Sequence, residues 1–134
     1  MNPQVLREAV NLAGKMENVL IGTANKKMEP HIAVASRMNL VDNIHVTVSA
    51  WFCPTTVTNL FENPSVSLVV WDSQTDTGYQ LIGASEQVEN MAVLGCWTPE
   101  VDGKISIPQV ERRVLVRVDR IIDFKHAPHN DTEE

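Results

Sequence analysis

The spacing of hydrophobic residues changes along the chain, and each kind of spacing predicts a helix or a strand. After an initial Asn-Pro pair, apolar residues recur every three or four positions, which predicts an amphipathic helix over residues 3–16. Residues 44–50 (IHVTVSA) alternate apolar and polar side chains, as in a strand with one buried face. Residues 66–71 (VSLVVW) are continuously apolar, as in a strand covered on both faces. A short helix with one apolar side is predicted between these two strands, after Pro54.

Six strands and two helices account for the pattern as a whole. The predicted strands are residues 18–24, 31–38, 44–50, 66–71, 79–88 and 110–124. The turns between strands are of hairpin length, which favours antiparallel pairing, and a small antiparallel sheet hides its edges by closing. We therefore predict a mainly β (α+β) fold: a small antiparallel six-stranded split barrel with a leading helix and a short helix between strands.

Three segments depart from this regular pattern. Gly83 interrupts a strand-like run, which predicts a bulge or a close approach of two backbones. Residues 91–96 are compatible with a short helix, and residues 101–108 are loop-like. The last residues, 125–134, are polar and predict a flexible, frayed tail.

Composition and charge narrow the classes of function. The 134 residues fit one domain, residues 1–134, and the formal net charge of −6 argues against nucleic acid as a partner. No apolar run approaches the roughly 18 residues of a membrane span, and the first residues lack the pattern of a secretory signal. Cys53 and Cys96 lack CxxC spacing, so we interpret them as free thiols and expect a cytoplasmic protein.

The start of the second helix, Pro54-Thr55-Thr56, is the candidate anion site. The first amides of a helix have no intrahelical partner, and the helix dipole places partial positive charge there. Threonine hydroxyls add donors, and a phosphate fits such a place. Because threonine and proline are also common in an ordinary helix start, the residues alone leave both interpretations open.

Cys53 and the tryptophans each have a functional and a structural interpretation. Cys53 directly precedes the helix, where the pKa of a thiol can fall, but an inert small residue is the favoured interpretation. A tryptophan can stack on a flat ring or be buried, and burial is the commoner role. The residues concerned are Trp51, Trp71 and Trp97.

Four segments of residues 18–90 occur in a distinctive order: PHIAVASRM, IHVTVSA, PTTVTNLFENPSVSLVVW and YQLIGASEQVE. The most specific is NLFENPSVSLVV, in which Asn-Leu ends a short helix, Asn-Pro stops it and an apolar strand follows. This order resembles the pyridoxamine 5'-phosphate oxidase-like family of FMN-binding split barrels.

The resemblance implies a homodimer with two FMN sites at the subunit interface. Two strand segments would run beside the isoalloxazine and ribityl chain, and the start of the second helix would meet the phosphate. Members of the family usually carry Arg or Lys where this chain has Thr55 and Thr56; Arg37 offers a guanidinium from a neighbouring strand instead. The implied cofactor-binding residues are Val34, Ala35, Ser36, Arg37, Ser49, Ala50, Trp51, Pro54, Thr55 and Thr56.

The last predicted strand has a basic flank formed by Arg112, Arg113, Arg117 and Arg120. Ion pairing with neighbouring carboxylates is the favoured interpretation of these residues. The alternative is that the strand lies near the partner subunit, where an arginine reaches the flavin phosphate or the substrate.

The expected function is that of an FMN-binding flavoprotein: an oxidoreductase, a flavin reductase or an electron-transfer protein that exchanges electrons with a small-molecule donor or acceptor. The flavin would supply the redox chemistry, so no catalytic side chain is assigned. We expect no metal, since His126 and His129 supply two ligands where a site usually needs three or four. The two threonines leave other classes open: a deazaflavin or haem protein, or a cofactor-free dimeric binding or structural protein.

Overall fold

The computed structural model describes the backbone of residues 1–97 and 106–134, and the side chains of residues 1–92 and 109–134. It confirms the mainly β, α+β fold with two helices, α1 (Pro3–Met16) and α2 (Pro54–Glu62), but its sheet has seven strands, not six. The strands are β1 (Val19–Ala24), β2 (Pro30–Ala35), β3 (Arg37–Leu40), β4 (His45–Trp51), β5 (Ser65–Asp72), β6 (Thr77–Trp97) and β7 (Ser106–Asp123).

Helix α1 begins and ends where the sequence predicts. The side chain of Asn2 accepts a hydrogen bond from the Gln4 amide at 2.9 Å, and a proline occupies the first helical turn, where no amide is needed. At the other end Glu17 adopts a left-handed φ of 58° and donates its amide to the Ala13 carbonyl. The inner side of α1 buries Val5, Leu6, Ala9 and Ala13 against the sheet.

The extra strand arises where the sheet closes. The sequence predicts one strand over residues 31–38, but the chain bends at Ser36, so that β2 pairs with β1 and β3 pairs with β4. The antiparallel strand order is β2-β1-β5-β6-β7-β4-β3, which places these two consecutive segments at opposite edges. The Ser36 amide donates to the carbonyl of Ala50 in β4 at 3.3 Å. The approach of β2 to β4 brings the two ends of the sheet together.

Strand β6 runs further than the sequence predicts. A short helix over residues 91–96 is wrong, because this segment continues β6 and pairs with the first half of β7. Of the loop predicted over residues 101–108, residues 106–108 begin β7, and the others lie outside the described residues. The bulge predicted at Gly83 is confirmed, since the register with β7 shifts between Ile82 and Gly83.

The barrel interior is filled by alternate residues of facing strands. Val46 pairs with Val116 and Val48 with Val114 across β4 and β7, and all four are buried. Trp51 closes the interior at the end of β4, with no exposed surface. Helix α2 is held to this core through a buried hydrogen bond at 3.0 Å. In that bond the side-chain amide of Asn59 in α2 donates to the Thr23 hydroxyl in β1.

The segment 125–134 folds back beside β7. The Asp123 amide donates to the Thr132 carbonyl at 2.8 Å, and the amides of His126 and Ala127 donate to the Asp76 carboxylate. These contacts bring His126 beside the start of β6. Within residues 1–97 and 106–134, neither helix has the length and apolar character needed to cross a membrane.

Candidate functional site

The chain turns sharply between β4 and α2, at the predicted anion site. Ala50 has a left-handed φ of 59°, which is uncommon for a residue with a side chain, and the register with β7 shifts between Ser49 and Trp51. Cys53 then occupies the N-cap of α2 with no side-chain capping bond of standard geometry, and the first turn contains no acidic residue. No carboxylate or hydroxyl side chain therefore caps the amides at the start of α2, where the helix dipole places partial positive charge.

Buried polar atoms without a partner gather around this turn. Within the side chains that the structure describes, three buried nitrogen or oxygen atoms lack a hydrogen bond: His31 Nδ1, Thr56 Oγ1 and Arg112 Nε. Thr56 belongs to the first turn of α2. His31 reaches Cys53, with 3.9 Å between Nε2 and Sγ, and Arg112 Nη1 donates to the Phe52 carbonyl at 2.8 Å. Because a buried unpaired polar group costs about 1–3 kcal/mol, each of these atoms needs an explanation, and all three belong to residues in or against the Phe52–Thr56 segment.

Arg112 brings positive charge to the turn. It lies in β7 opposite Trp51, and its guanidinium donates to the carbonyls of Phe52 and Val110. No carboxylate among the described side chains forms an ion pair with it. The neighbouring arginines differ, because Arg113 pairs with Glu89 and Arg117 pairs with Asp119. Arg112 is thus the arginine of the basic flank that lies beside the start of α2.

Arg37, the guanidinium that the sequence offers for the phosphate, lies elsewhere. It is exposed in β3 and lines a surface groove with Gly14 and Glu17 at the end of α1. No residue of α2 lines this groove. The structure therefore brings Arg112, and not Arg37, next to the Cys53–Thr56 turn.

Trp51 and Thr56 are fully buried, whereas Pro54 and Thr55 are exposed. The Trp51 indole lies in the core and donates from Nε1 to the Val48 carbonyl at 3.0 Å. This is the buried role that the sequence favours, and it leaves the ring no free face for stacking.

The other predicted residues lie where the sheet closes. Val34 is 61% exposed on the outer face, and its neighbour Ala35 points inward. Ser36 and Ala50 meet through their backbones, and Ser49 pairs in register with Arg37. Sequence reasoning missed His31 and did not single out Arg112. His31 stands in the PHIAVASRM segment, and Arg112 is one of two adjacent arginines, so these two features of the sequence could have pointed to them.

Opposing effects act on the pKa of the Cys53 thiol. Burial raises this pKa, but the amides and hydroxyls of Thr56 and Thr55 outweigh burial and lower it below its ordinary value. The Thr56 hydroxyl contributes although it falls short of a standard hydrogen bond to the sulfur. The start of α2 therefore stabilises negative charge.

A second surface lies outside the barrel and is apolar. We define the outer apolar face as the outward side chains of β1, β2 and β5: Leu20, Ile32, Val34, Val69 and Trp71. Leu20 pairs with both Val34 and Val69, so these side chains form a continuous row across three strands. A groove of about 590 Å³ runs along this face to Phe124 and His126. Contiguous exposed apolar surface of this kind marks an interaction site.

The bend at Ser36 and the helix between β4 and β5 are consistent with a split barrel, and proteins of known structure share this fold. A protein related to general stress protein 26, of the pyridoxinephosphate oxidase family, from Clostridium acetobutylicum is 16% identical. It matches with a TM-score of 0.64 over 100% of this chain and 96% of its own. An FMN-binding protein from Syntrophomonas wolfei is 16% identical, with a TM-score of 0.60 over 92% of this chain and 88% of its own.

The same fold occurs in a protein whose description names haem instead of FMN. HutZ, a haem storage protein from Vibrio cholerae, is 11% identical and has a TM-score of 0.54 over 92% of this chain and 96% of its own. No protein-family model matches the chain, and no curated protein sequence does. At these identities the likenesses show the fold, so the fold that the motif order implies is confirmed.

Proposed function

We propose that the chain is an FMN-binding flavoprotein that transfers electrons as a cytoplasmic homodimer, with the FMN phosphate at the start of α2. The observation that carries the proposal is the cluster of unpartnered buried polar atoms around the Cys53–Thr56 turn. The FMN-binding protein of Syntrophomonas wolfei, which has the same fold, supports it. The free thiol of Cys53 is typical of a reducing compartment and supports the cytoplasm.

The side chains at this turn fit a phosphate group. Arg112 supplies a guanidinium, Thr56 supplies an unpartnered hydroxyl, and the first amides of α2 supply further donors. Arg112 thereby offers the positive charge that Thr55 and Thr56 do not. When bound, FMN would supply the redox chemistry, and the chain would bind and orient it.

The phosphate site is tested by comparing FMN with riboflavin, which lacks the phosphate. We expect Thr56→Val to weaken FMN binding about 10- to 100-fold, since a hydrogen bond to a charged group contributes about 1.5–3 kcal/mol. Riboflavin binding should not change. The measurement is a titration followed by quenching of flavin fluorescence.

Thr58→Val is the matched control, because Thr58 lies in the same helix with an exposed hydroxyl. Its FMN affinity should equal that of the wild type. Equal affinities of the wild type for FMN and riboflavin would contradict a phosphate site, as would an unchanged FMN affinity in Thr56→Val.

The outer apolar face supports the homodimer. Ile32 and Val34 are 68% and 61% exposed on neighbouring outward positions of β2, and covering them with a second copy removes apolar surface from water. We expect sedimentation to show a dimer for the wild type and a monomer for Ile32→Glu, with an unchanged far-ultraviolet circular dichroism spectrum.

Val41→Glu is the control for this experiment, because Val41 is 54% exposed but follows β3, away from the outer apolar face. This variant should remain dimeric. A wild-type chain that sediments as a monomer would refute the proposed dimer.

Haem is the second candidate ligand. The groove on the outer apolar face is lined by Val34, Trp71 and Phe124, and His126 offers an imidazole beside these apolar residues. HutZ shares the fold and is described as a haem storage protein. The absorption spectrum of the purified protein discriminates the two, since haem gives a sharp Soret band and flavin gives two broad bands.

A further inference from the structure

Cys53 and His31 form a thiol–imidazole pair at the start of α2. Cys53 is the N-cap residue of the helix, and its Sγ lies 3.9 Å from Nε2 of His31 in β2. The other ring nitrogen of His31 is buried and has no partner. An imidazole beside a thiol can take its proton and stabilise the resulting thiolate.

A second, independent feature points to the same sulfur. Thr56 has no exposed surface, its hydroxyl lacks a standard hydrogen bond, and it faces the Cys53 thiol. With Thr55 it lowers the pKa of this thiol despite the opposing effect of burial. From β7, Arg112 adds a guanidinium at the Phe52 carbonyl. His31 from β2 and Arg112 from β7 are the titratable and charged side chains that contact the Phe52–Cys53 segment.

The sulfur also remains within reach of a small reagent. Cys53 is only partly buried and forms no disulfide in the described part of the chain. A thiolate that is stabilised by donors and still accessible is the form of cysteine that reacts. An inert thiol would be enclosed by the protein or would have no donors to stabilise its thiolate.

We infer that Cys53 is a reactive thiol site that exchanges with low-molecular-weight disulfides and carries the resulting adduct at the start of α2. The Cys53 thiolate attacks one sulfur of the disulfide, and a new S–S bond forms as the old one breaks. The departing half leaves as a thiolate with the electron pair and takes a proton from water. Cys53 is oxidised, and the departing half of the disulfide is reduced. The thiolate and the FMN phosphate proposed above would share the donors of α2, so exchange is measured with and without added FMN and is expected in the flavin-free chain.

The test uses full-length protein with Cys96→Ser, so that Cys53 is the only thiol. The reagent is 5,5'-dithiobis-(2-nitrobenzoic acid), whose coloured thiolate reports each exchange, and mass spectrometry identifies the adduct. At neutral pH we expect exchange about tenfold faster than in urea, with an inflection of the rate against pH below the ordinary thiol value of about 8.5.

His31→Asn should move this inflection to higher pH and slow exchange at neutral pH. His129→Asn, which changes an exposed histidine of the tail, should leave the rate unchanged. Cys53→Ser should abolish the reaction. Exchange no faster than in urea, or an inflection at the ordinary thiol value, would overturn the inference. If His31→Asn does not fold, the wild-type pH profile and Thr56→Val still decide it.

Discussion

Replacing Gly83 by alanine should lower the free energy of unfolding by about 3 kcal/mol, a large part of the stability of a small domain. Gly83 lies at the bulge of β6, where a Cβ would overlap the Arg117 carbonyl oxygen and lie 2.9 Å from its carbon. These are backbone atoms of β7, so no side chain can move to make room. The two strands would have to separate along the longest pairing in the sheet. Urea unfolding followed by circular dichroism measures the change.

Gly22→Ala is the matched control for this experiment. Gly22 lies in β1 of the same sheet, but a Cβ there would be 3.5 Å from the Ser67 carbonyl oxygen, an ordinary contact. We expect a change within about 0.5 kcal/mol, as for a substitution that disturbs no contact. Equal losses in the two variants would refute the steric argument at Gly83.

Trp51→Ala should lower the free energy of unfolding by about 4 kcal/mol, since a large aromatic side chain leaves a cavity in the core. Trp51 is 0% exposed, and its indole donates to the Val48 carbonyl, a bond that the substitution would remove. The measurement is urea unfolding at a fixed protein concentration.

Trp71→Ala provides the comparison. Trp71 is 37% exposed and hydrogen-bonded to Asp76 at the surface, so we expect a loss of about 1 kcal/mol. If Trp51 instead stacked on the flavin, Trp51→Ala would weaken FMN binding and leave stability almost unchanged. The variant therefore separates a core residue from a ligand-stacking residue.

The arginine at the candidate site shows why part of the site cannot be predicted from the sequence. Thr56 could be found, because the strand–Pro-Thr-Thr–helix order marks a helix start. Arg112 follows Thr56 by more than fifty residues, and its position depends on the register in which β7 pairs with Trp51. A shift of one residue in that register would turn the side chain to the other face of the sheet. The sequence therefore favours Arg37, which is nearer to Thr56 along the chain, as the partner of the helix start.

The sequence by itself determined the elements whose signals are local. The cap at Asn2 and the spacing that follows set α1, and the alternation over residues 44–50 set β4. Tertiary structure alone decided the bend at Ser36, the extension of β6 to Trp97 and the contacts of His31 and Arg112 with the Phe52–Cys53 segment. The physical reason is that local signals arise from backbone geometry and side-chain spacing within a few residues. Strand partners and register instead depend on long-range pairing that no short segment encodes.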